Sequence, residues 1–186
     1  NIKPAEVFAM GPIVPVLVIE NVEDAVPIAK ALMDGGIKVL EVTLRTKNAL
    51  AVIKEIATKL PEAMIGAGTV TNPETLHQAI DAGAKFIISP GMTKELLEAS
   101  KRTSIPLIPG ISTVSELMTG LDLGFDHLKF FPAESIGGAN AIKAISGPFA
   151  GITFCPTGGI NLDNMGNYLS LNNIVCIGGS WLVPND

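Results

Sequence analysis

Short apolar runs rich in Val and Ile recur along the whole chain, each followed by an amphipathic stretch, with Gly or Pro at the joins. Eight such runs read as strands, at residues 13–19, 37–44, 64–69, 86–89, 107–109, 127–131, 153–157 and 174–178. Between them the spacing predicts helices over 22–33, 48–60, 73–82, 93–101, 113–121, 139–145 and 162–171. Most of the strand runs show no apolar/polar alternation. They read as parallel strands covered on both faces. Eight βα units in a row predict a single-domain (β/α)8 TIM barrel over residues 1–186. An open doubly wound sheet is the alternative, because periodicity does not reveal closure.

Local signals agree with this segmentation. Thr71-Asn72-Pro73-Glu74 and Ser112-Thr113-Val114-Ser115-Glu116 read as helix starts. Asp34-Gly35-Gly36 and Asp81-Ala82-Gly83 read as helix stops. Residues 4–10 suit a short helix closing the barrel floor. A last helix of roughly a dozen residues should cover the eighth strand. Only Gly179-Ser180-Trp181-Leu182-Val183-Pro184-Asn185-Asp186 follows, so that helix is expected beyond this sequence.

The composition narrows the function classes. With 47% hydrophobic and 17% charged residues the chain suits a folded globule. Its 13 basic and 18 acidic residues give a net charge of −5, and no basic cluster stands out, so no nucleic-acid partner is expected. No apolar stretch is long enough to span a bilayer, so no membrane role is expected. No signal-peptide pattern opens the chain either, and a cytoplasmic location is expected. Cys155 and Cys176 lie in apolar runs and read as buried free thiols. With His77 and His127 far apart in sequence, no metal site is expected.

In such barrels functional groups gather at the C-terminal ends of strands. The run Leu128-Lys129-Phe130-Phe131 places a cation in an apolar strand, with Lys129 and Phe131 on one face. Desolvation favours a neutral amine, and a neutral amine attacks a carbonyl where an ammonium does not. The strand alone leaves open a lysine whose head snorkels to the rim. In Leu40-Glu41-Val42-Thr43-Leu44-Arg45, three polar residues share one face. Schiff-base chemistry needs a proton shuttle, a role open to Glu41. Arg45 offers a two-pronged donor for a carboxylate. An ion pair that merely fixes register is the plainer reading of these charges.

Other strand ends are smaller. Gly66-Ala67-Gly68-Thr69 and Ser89-Pro90-Gly91 supply a hydroxyl and room, although the glycines also suit simple turns. Pro156-Thr157-Gly158-Gly159 and Gly178-Gly179-Ser180 carry paired glycines whose N–H groups can converge on an anion. Loops after strands seven and eight are where barrels often hold phosphate. Together these ends outline a site for a molecule with a keto-acid end and a phosphate end.

The segments Glu41-Val42-Thr43-Leu44-Arg45-Thr46, Gly66-Ala67-Gly68-Thr69-Val70 and Ile88-Ser89-Pro90-Gly91 resemble those of the 2-keto-3-deoxy-6-phosphogluconate (KDPG) aldolases. So do Pro109-Gly110-Ile111-Ser112-Thr113, Lys129-Phe130-Phe131-Pro132-Ala133-Glu134 and Cys155-Pro156-Thr157-Gly158-Gly159. Many of that family are also 4-hydroxy-2-oxoglutarate (KHG) aldolases, and the bacterial bifunctional type is most similar. The resemblance implies a trimeric (β/α)8 class I aldolase that yields pyruvate, needs no cofactor, and serves the Entner–Doudoroff route. It implies Lys129 as the Schiff-base lysine and Glu41 as general acid/base. Arg45 and Thr69 would hold the pyruvate carboxylate, with Pro90 and Phe131 lining the site. Gly158, Gly159, Gly179 and Ser180 would surround the phosphate. Two other classes remain as contrasts: a metal-dependent sugar-phosphate epimerase or isomerase, and a non-catalytic barrel scaffold.

Overall fold

The computed structural model describes residues 1–184; the last two positions of the expected domain lie outside the described residues. In chain order the elements are α1 (Pro4–Phe8), β1 (Ile13–Leu17), α2 (Val22–Asp34), β2 (Val39–Thr43), α3 (Ala49–Lys59), β3 (Met64–Gly68), α4 (Pro73–Asp81), β4 (Phe86–Ile88) and α5 (Lys94–Ser100). Then come β5 (Leu107–Ile108), β6 (Gly110–Ile111), α6 (Val114–Asp122), β7 (His127–Phe130), a 3₁₀ turn (Glu134–Ile136), α7 (Gly138–Ile145), β8 (Thr153–Pro156), α8 (Met165–Leu169) and β9 (Ile177–Gly179). The strands pair in parallel as a six-stranded sheet, β5-β4-β3-β2-β1-β9, and a three-stranded sheet, β6-β7-β8. Parallel bridges Phe154↔Ile174 and Thr157↔Gly178 connect the β8 segment to the β9 segment. The result is a curled parallel sheet in an α/β fold.

Pro109 separates β5 from β6. Its ring removes the N–H that a ladder needs, so the expected fifth strand becomes two short pieces. Leu107–Ile108 pairs with β4 and Gly110–Ile111 with β7, while the Pro109 carbonyl accepts the Lys129 N–H at 2.9 Å. The expected strand at 174–178 also divides. Ile174 bridges to Phe154 first, and regular pairing with β1 starts only at Ile177. The expected helix at 162–171 shrinks to Met165–Leu169. There the Asn161 side chain accepts the N–H groups of Asp163 and Asn164, a local turn that competes with helix.

The predicted caps form. Asn72 accepts from Thr75 N at 2.9 Å, ahead of Pro73. Thr113 caps α6, and Glu116 returns to the Ser112 and Thr113 N–H groups. Burial works to raise the Glu116 carboxyl, but these hydrogen bonds outweigh it and hold it below the ordinary carboxylate range.

Apolar side chains segregate into three layers. Alternate residues of the strands point out toward the helices, as Leu40, Val42, Ile65 and Ala67 do under α2 to α4. Leu128, Phe130 and Phe154 do the same under α6 to α8. The opposite face gathers Val14, Val39, Phe86, Ile88, Ile108, Cys155 and Cys176 into one cluster that Val7 and Phe8 of α1 join. The expected floor helix is therefore present as Pro4–Phe8. Gly66 lies beside Phe86 in this inner layer, and a Cβ there would collide with the aromatic ring. Gly66→Ala is expected to cost about 1–3 kcal/mol by overpacking, read as a lower denaturant midpoint at unchanged slope.

Candidate active site

Lys129 sits in β7 between Gly110 on one side and Cys155 on the other. Strand alternation sends its neighbours Leu128 and Phe130 outward into the helix-facing layer, and Lys129 to the inner face. Its side chain is 5% exposed, so it does not snorkel to the rim. The Nζ lies 3.5 Å from Glu41 Oε1 and 5.1 Å from the centre of the Phe131 ring. Glu41, on β2, has a side chain only 2% exposed. A carboxylate and an amine that both leave water need each other, and removing one partner of such a pair costs about 3–5 kcal/mol. At 3.5 Å the contact is at the long limit of a hydrogen bond. It is an ion pair across the interior more than a locked one.

Space for the carboxylate comes from Gly68 on β3. A side chain there would occupy the position of the Glu41 carboxylate. The next residue, Thr69, has φ +60°, a left-handed conformation that a β-branched residue adopts only under constraint. Its hydroxyl accepts from Arg45 Nε at 3.4 Å. Arg45 itself is exposed and lines a cavity with Ser180 and Trp181. The shared face expected for Glu41, Thr43 and Arg45 needs one refinement. Thr43 is buried and donates to the Leu17 carbonyl at 2.9 Å, which ties β2 to β1.

Pro90 is half-buried, and its carbonyl lies where a Cβ on Gly110 would be. Gly110 pairs with Lys129, so Pro90 flanks the lysine strand through bare backbone. Thr157 is buried and bridges to Gly178, whose missing side chain makes room for the Thr157 hydroxyl. The ends of β8 and β9 are therefore neighbours, with Gly158-Gly159 after one and Gly179-Ser180 at the other. Gly158 and Gly159 have φ of 107° and 73°. Gly179 lies against the Trp181 ring, and Ser180 is exposed.

Four residues near the site carry no distinguishing signal in the sequence. Gly68 was quoted only as a turn glycine. Trp181, the single tryptophan, carried no spacing signal. Asn164 and Tyr168 lie in what read as an ordinary helix. Cys155 and Cys176 are both buried and free, as expected. A hydrogen bond to Cys155 and burial push the Cys176 thiol well above its ordinary range, which suits packing rather than nucleophilic attack. Among the described residues no three His, Cys, Asp or Glu side chains come together in a metal-binding group.

An amine buried against a carboxylate, at the strand ends of a parallel α/β fold, is the equipment of enzymes that work on carbonyl carbon through an imine. The sequence comparisons assign this chain more narrowly: the model of the KDPG and KHG aldolase family matches residues 5–186, and the chain belongs to that family. It is thus an aldolase, a lyase. The 2-dehydro-3-deoxy-phosphogluconate aldolase of Pseudoalteromonas atlantica is 62% identical over all of this chain and 86% of its own length. The KHG/KDPG aldolase of Escherichia coli is 57% identical over 97% of this chain and 84% of its own. A KDPG aldolase from Legionella pneumophila, crystallised with pyruvate captured as a covalent carbinolamine, superposes with a TM-score of 0.96. It is 54% identical, over 98% of this chain and 88% of its own.

Thr69→Gly removes a backbone conformation that costs on the order of 1–3 kcal/mol. It is expected to leave the melting temperature at or above the parent's while lowering turnover, since the hydroxyl facing Arg45 goes with the side chain. Thermal melts beside an aldol-cleavage assay check both halves.

Proposed function

We propose that this chain is a class I aldolase that cleaves KDPG to pyruvate and glyceraldehyde 3-phosphate, and KHG to pyruvate and glyoxylate. The observation that carries the proposal is the buried Lys129–Glu41 pair, 3.5 Å apart, beside the Thr69–Arg45 contact. Lys129 Nζ, once neutral, attacks the C2 carbonyl of the keto acid and forms a carbinolamine. Glu41 delivers the proton that lets hydroxide leave as water, and an iminium results. Glu41 then takes the C4 hydroxyl proton as the C3–C4 bond breaks. The aldehyde departs, and the bonding electrons flow into the iminium to form an enamine. Protonation at C3 and hydrolysis return pyruvate and the free lysine. A carboxylate within hydrogen-bond reach of the amine supports this role for Glu41 in the transfers.

Arg45 and Thr69 hold the substrate carboxylate, with Pro90 and Phe131 as walls. Thr157, Gly158, Gly159, Gly179 and Ser180 form the distal anion site, supported by the adjacency of the β8 and β9 ends. No metal or organic cofactor enters this sequence of steps. Both substrates share the pyruvate-forming half and differ at the distal anion.

The same geometry favours a closed (β/α)8 barrel with its fifth strand split at Pro109. Reading β5 and β6 as one strand makes a ring in which β2 and β7 stand opposite. Opposite strands are the ones expected to face across such an interior, as Glu41 and Lys129 do. A homotrimer is proposed as the working assembly. Val114 and Met118, one turn apart on α6, are 40% and 54% exposed, an apolar face suited to a subunit contact. Two free thiols suit a reducing compartment, and the cytoplasm is proposed as the location. No helix among the described residues is long and apolar enough to cross a membrane. The Entner–Doudoroff route is the proposed metabolic setting.

Borohydride added with pyruvate is expected to label Lys129, read as a mass increase on the peptide that carries it. Lys129→Ala should abolish both label and turnover. Glu41→Gln should still take up label while turnover drops about 10²–10⁴-fold, the usual weight of general acid–base help. Unchanged activity in Lys129→Ala would overturn the assignment of Lys129 as the Schiff-base lysine.

A further inference from the structure

The Gly158-Gly159 turn is held from behind by groups with no assigned role. The carbonyls of Thr157 and Gly158 accept the N–H groups of Ala133 and Glu134, at 2.8 and 3.1 Å. The Gly159 carbonyl accepts Asn164 Nδ2 at 2.9 Å. Three successive carbonyls are thus pinned on the side of 133–134 and Asn164. In a planar trans peptide the N–H points opposite to the C=O. The N–H groups of Gly158, Gly159 and Ile160 therefore face away from those anchors, and among the described residues none of them has a protein acceptor.

The anchors are themselves fixed. Asn164 Oδ1 accepts the Asn161 N–H at 2.8 Å, which sets the amide so that its NH₂ meets Gly159. The Glu134 carboxylate accepts the Tyr168 hydroxyl. Tyr168 is buried, and burial, followed by the Glu134 carboxylate, pushes its hydroxyl well above the ordinary range, so it remains a donor at any working pH. Without that donor the Glu134 carboxylate is free to swing, and its Cβ and Cγ already lie against Gly159. A loose anion beside an anion-binding turn opposes the ligand.

We propose that Asn164 and the Tyr168–Glu134 hydrogen bond are positioning elements that aim the Gly158–Ile160 N–H groups at the substrate's phosphate. Tyr168 also keeps the Glu134 charge off that phosphate. The inference deepens the proposed aldolase reading and rests on its distal anion site. Neither residue touches the reacting carbons.

The test uses Asn164→Ala, which removes the donor to Gly159 without adding a charge, and Tyr168→Phe, which loses only the hydroxyl. Each is expected to raise KM for KDPG about tenfold, the scale of one lost hydrogen bond, with kcat within about threefold. Affinity for 3-phosphoglycerate, measured by calorimetry, should fall by a similar factor. The pyruvate concentration that half-saturates borohydride labelling should not move, because pyruvate has no distal anion. KM and 3-phosphoglycerate affinity within about twofold of the parent's would overturn the proposal. So would a matching rise in the pyruvate requirement, which marks general damage to the fold. Failure of the parent to take up pyruvate label would sink the Lys129 reading instead, and the 3-phosphoglycerate titration would still decide the turn.

Discussion

Lys129 and Glu41 lie opposite one another with almost no water, and much of the surrounding backbone is shaped to allow it. Burying one charge alone is prohibitive, and burying two is tolerable only if they meet. Gly68 is bare because the carboxylate fills the space of a side chain. Gly110 is bare because the Pro90 carbonyl approaches it, and Pro109 interrupts a strand while offering its carbonyl to the lysine's own N–H. The inner layer below the pair is apolar and closed by Val7 and Phe8 of α1. A low-dielectric floor keeps the two groups dependent on each other.

Rigidity is distributed unevenly around that pair. In the proposed function the keto-acid end of the substrate meets groups on or just past strands: Lys129 on β7, Glu41 on β2, and Thr69 held in a left-handed conformation just past β3. The distal end would meet backbone, in a turn whose carbonyls are pinned by a neighbouring loop and by Asn164. Catalysis tolerates little displacement of the reacting groups, so strands are the better mount for them. Recognition of an anion by N–H groups asks only that a short turn be aimed correctly.

Much of this was legible from the chain. Periodicity located nearly every strand and helix, because burial on both faces leaves a strand apolar throughout and helix starts carry side-chain caps. Lys129 and Glu41 stood out as charges inside apolar runs. The misses share a physical cause. The split at Pro109 depends on which neighbour each half pairs with, and the shortened α8 on a side-chain turn at Asn161 that competes with helix. Thr43 shares a strand face with Glu41 and Arg45, yet its hydroxyl is spent on the Leu17 carbonyl. Spacing along a strand says which face a side chain takes, and nothing about its partner across the gap.

The sequence by itself determined the segmentation, the parallel character of the strands, the two buried charges and, through its motifs, the family. Those properties follow from local periodicity and residue chemistry, which a linear string carries in full. Only the tertiary structure decided that residues 88 positions apart face each other at 3.5 Å. It also decided that Gly68 exists for Glu41 rather than for a turn, and that Asn164 reaches back to Gly159. Such contacts arise when a parallel sheet curls around a shared interior and loops pack at its ends, and the distances involved are set by every intervening element at once.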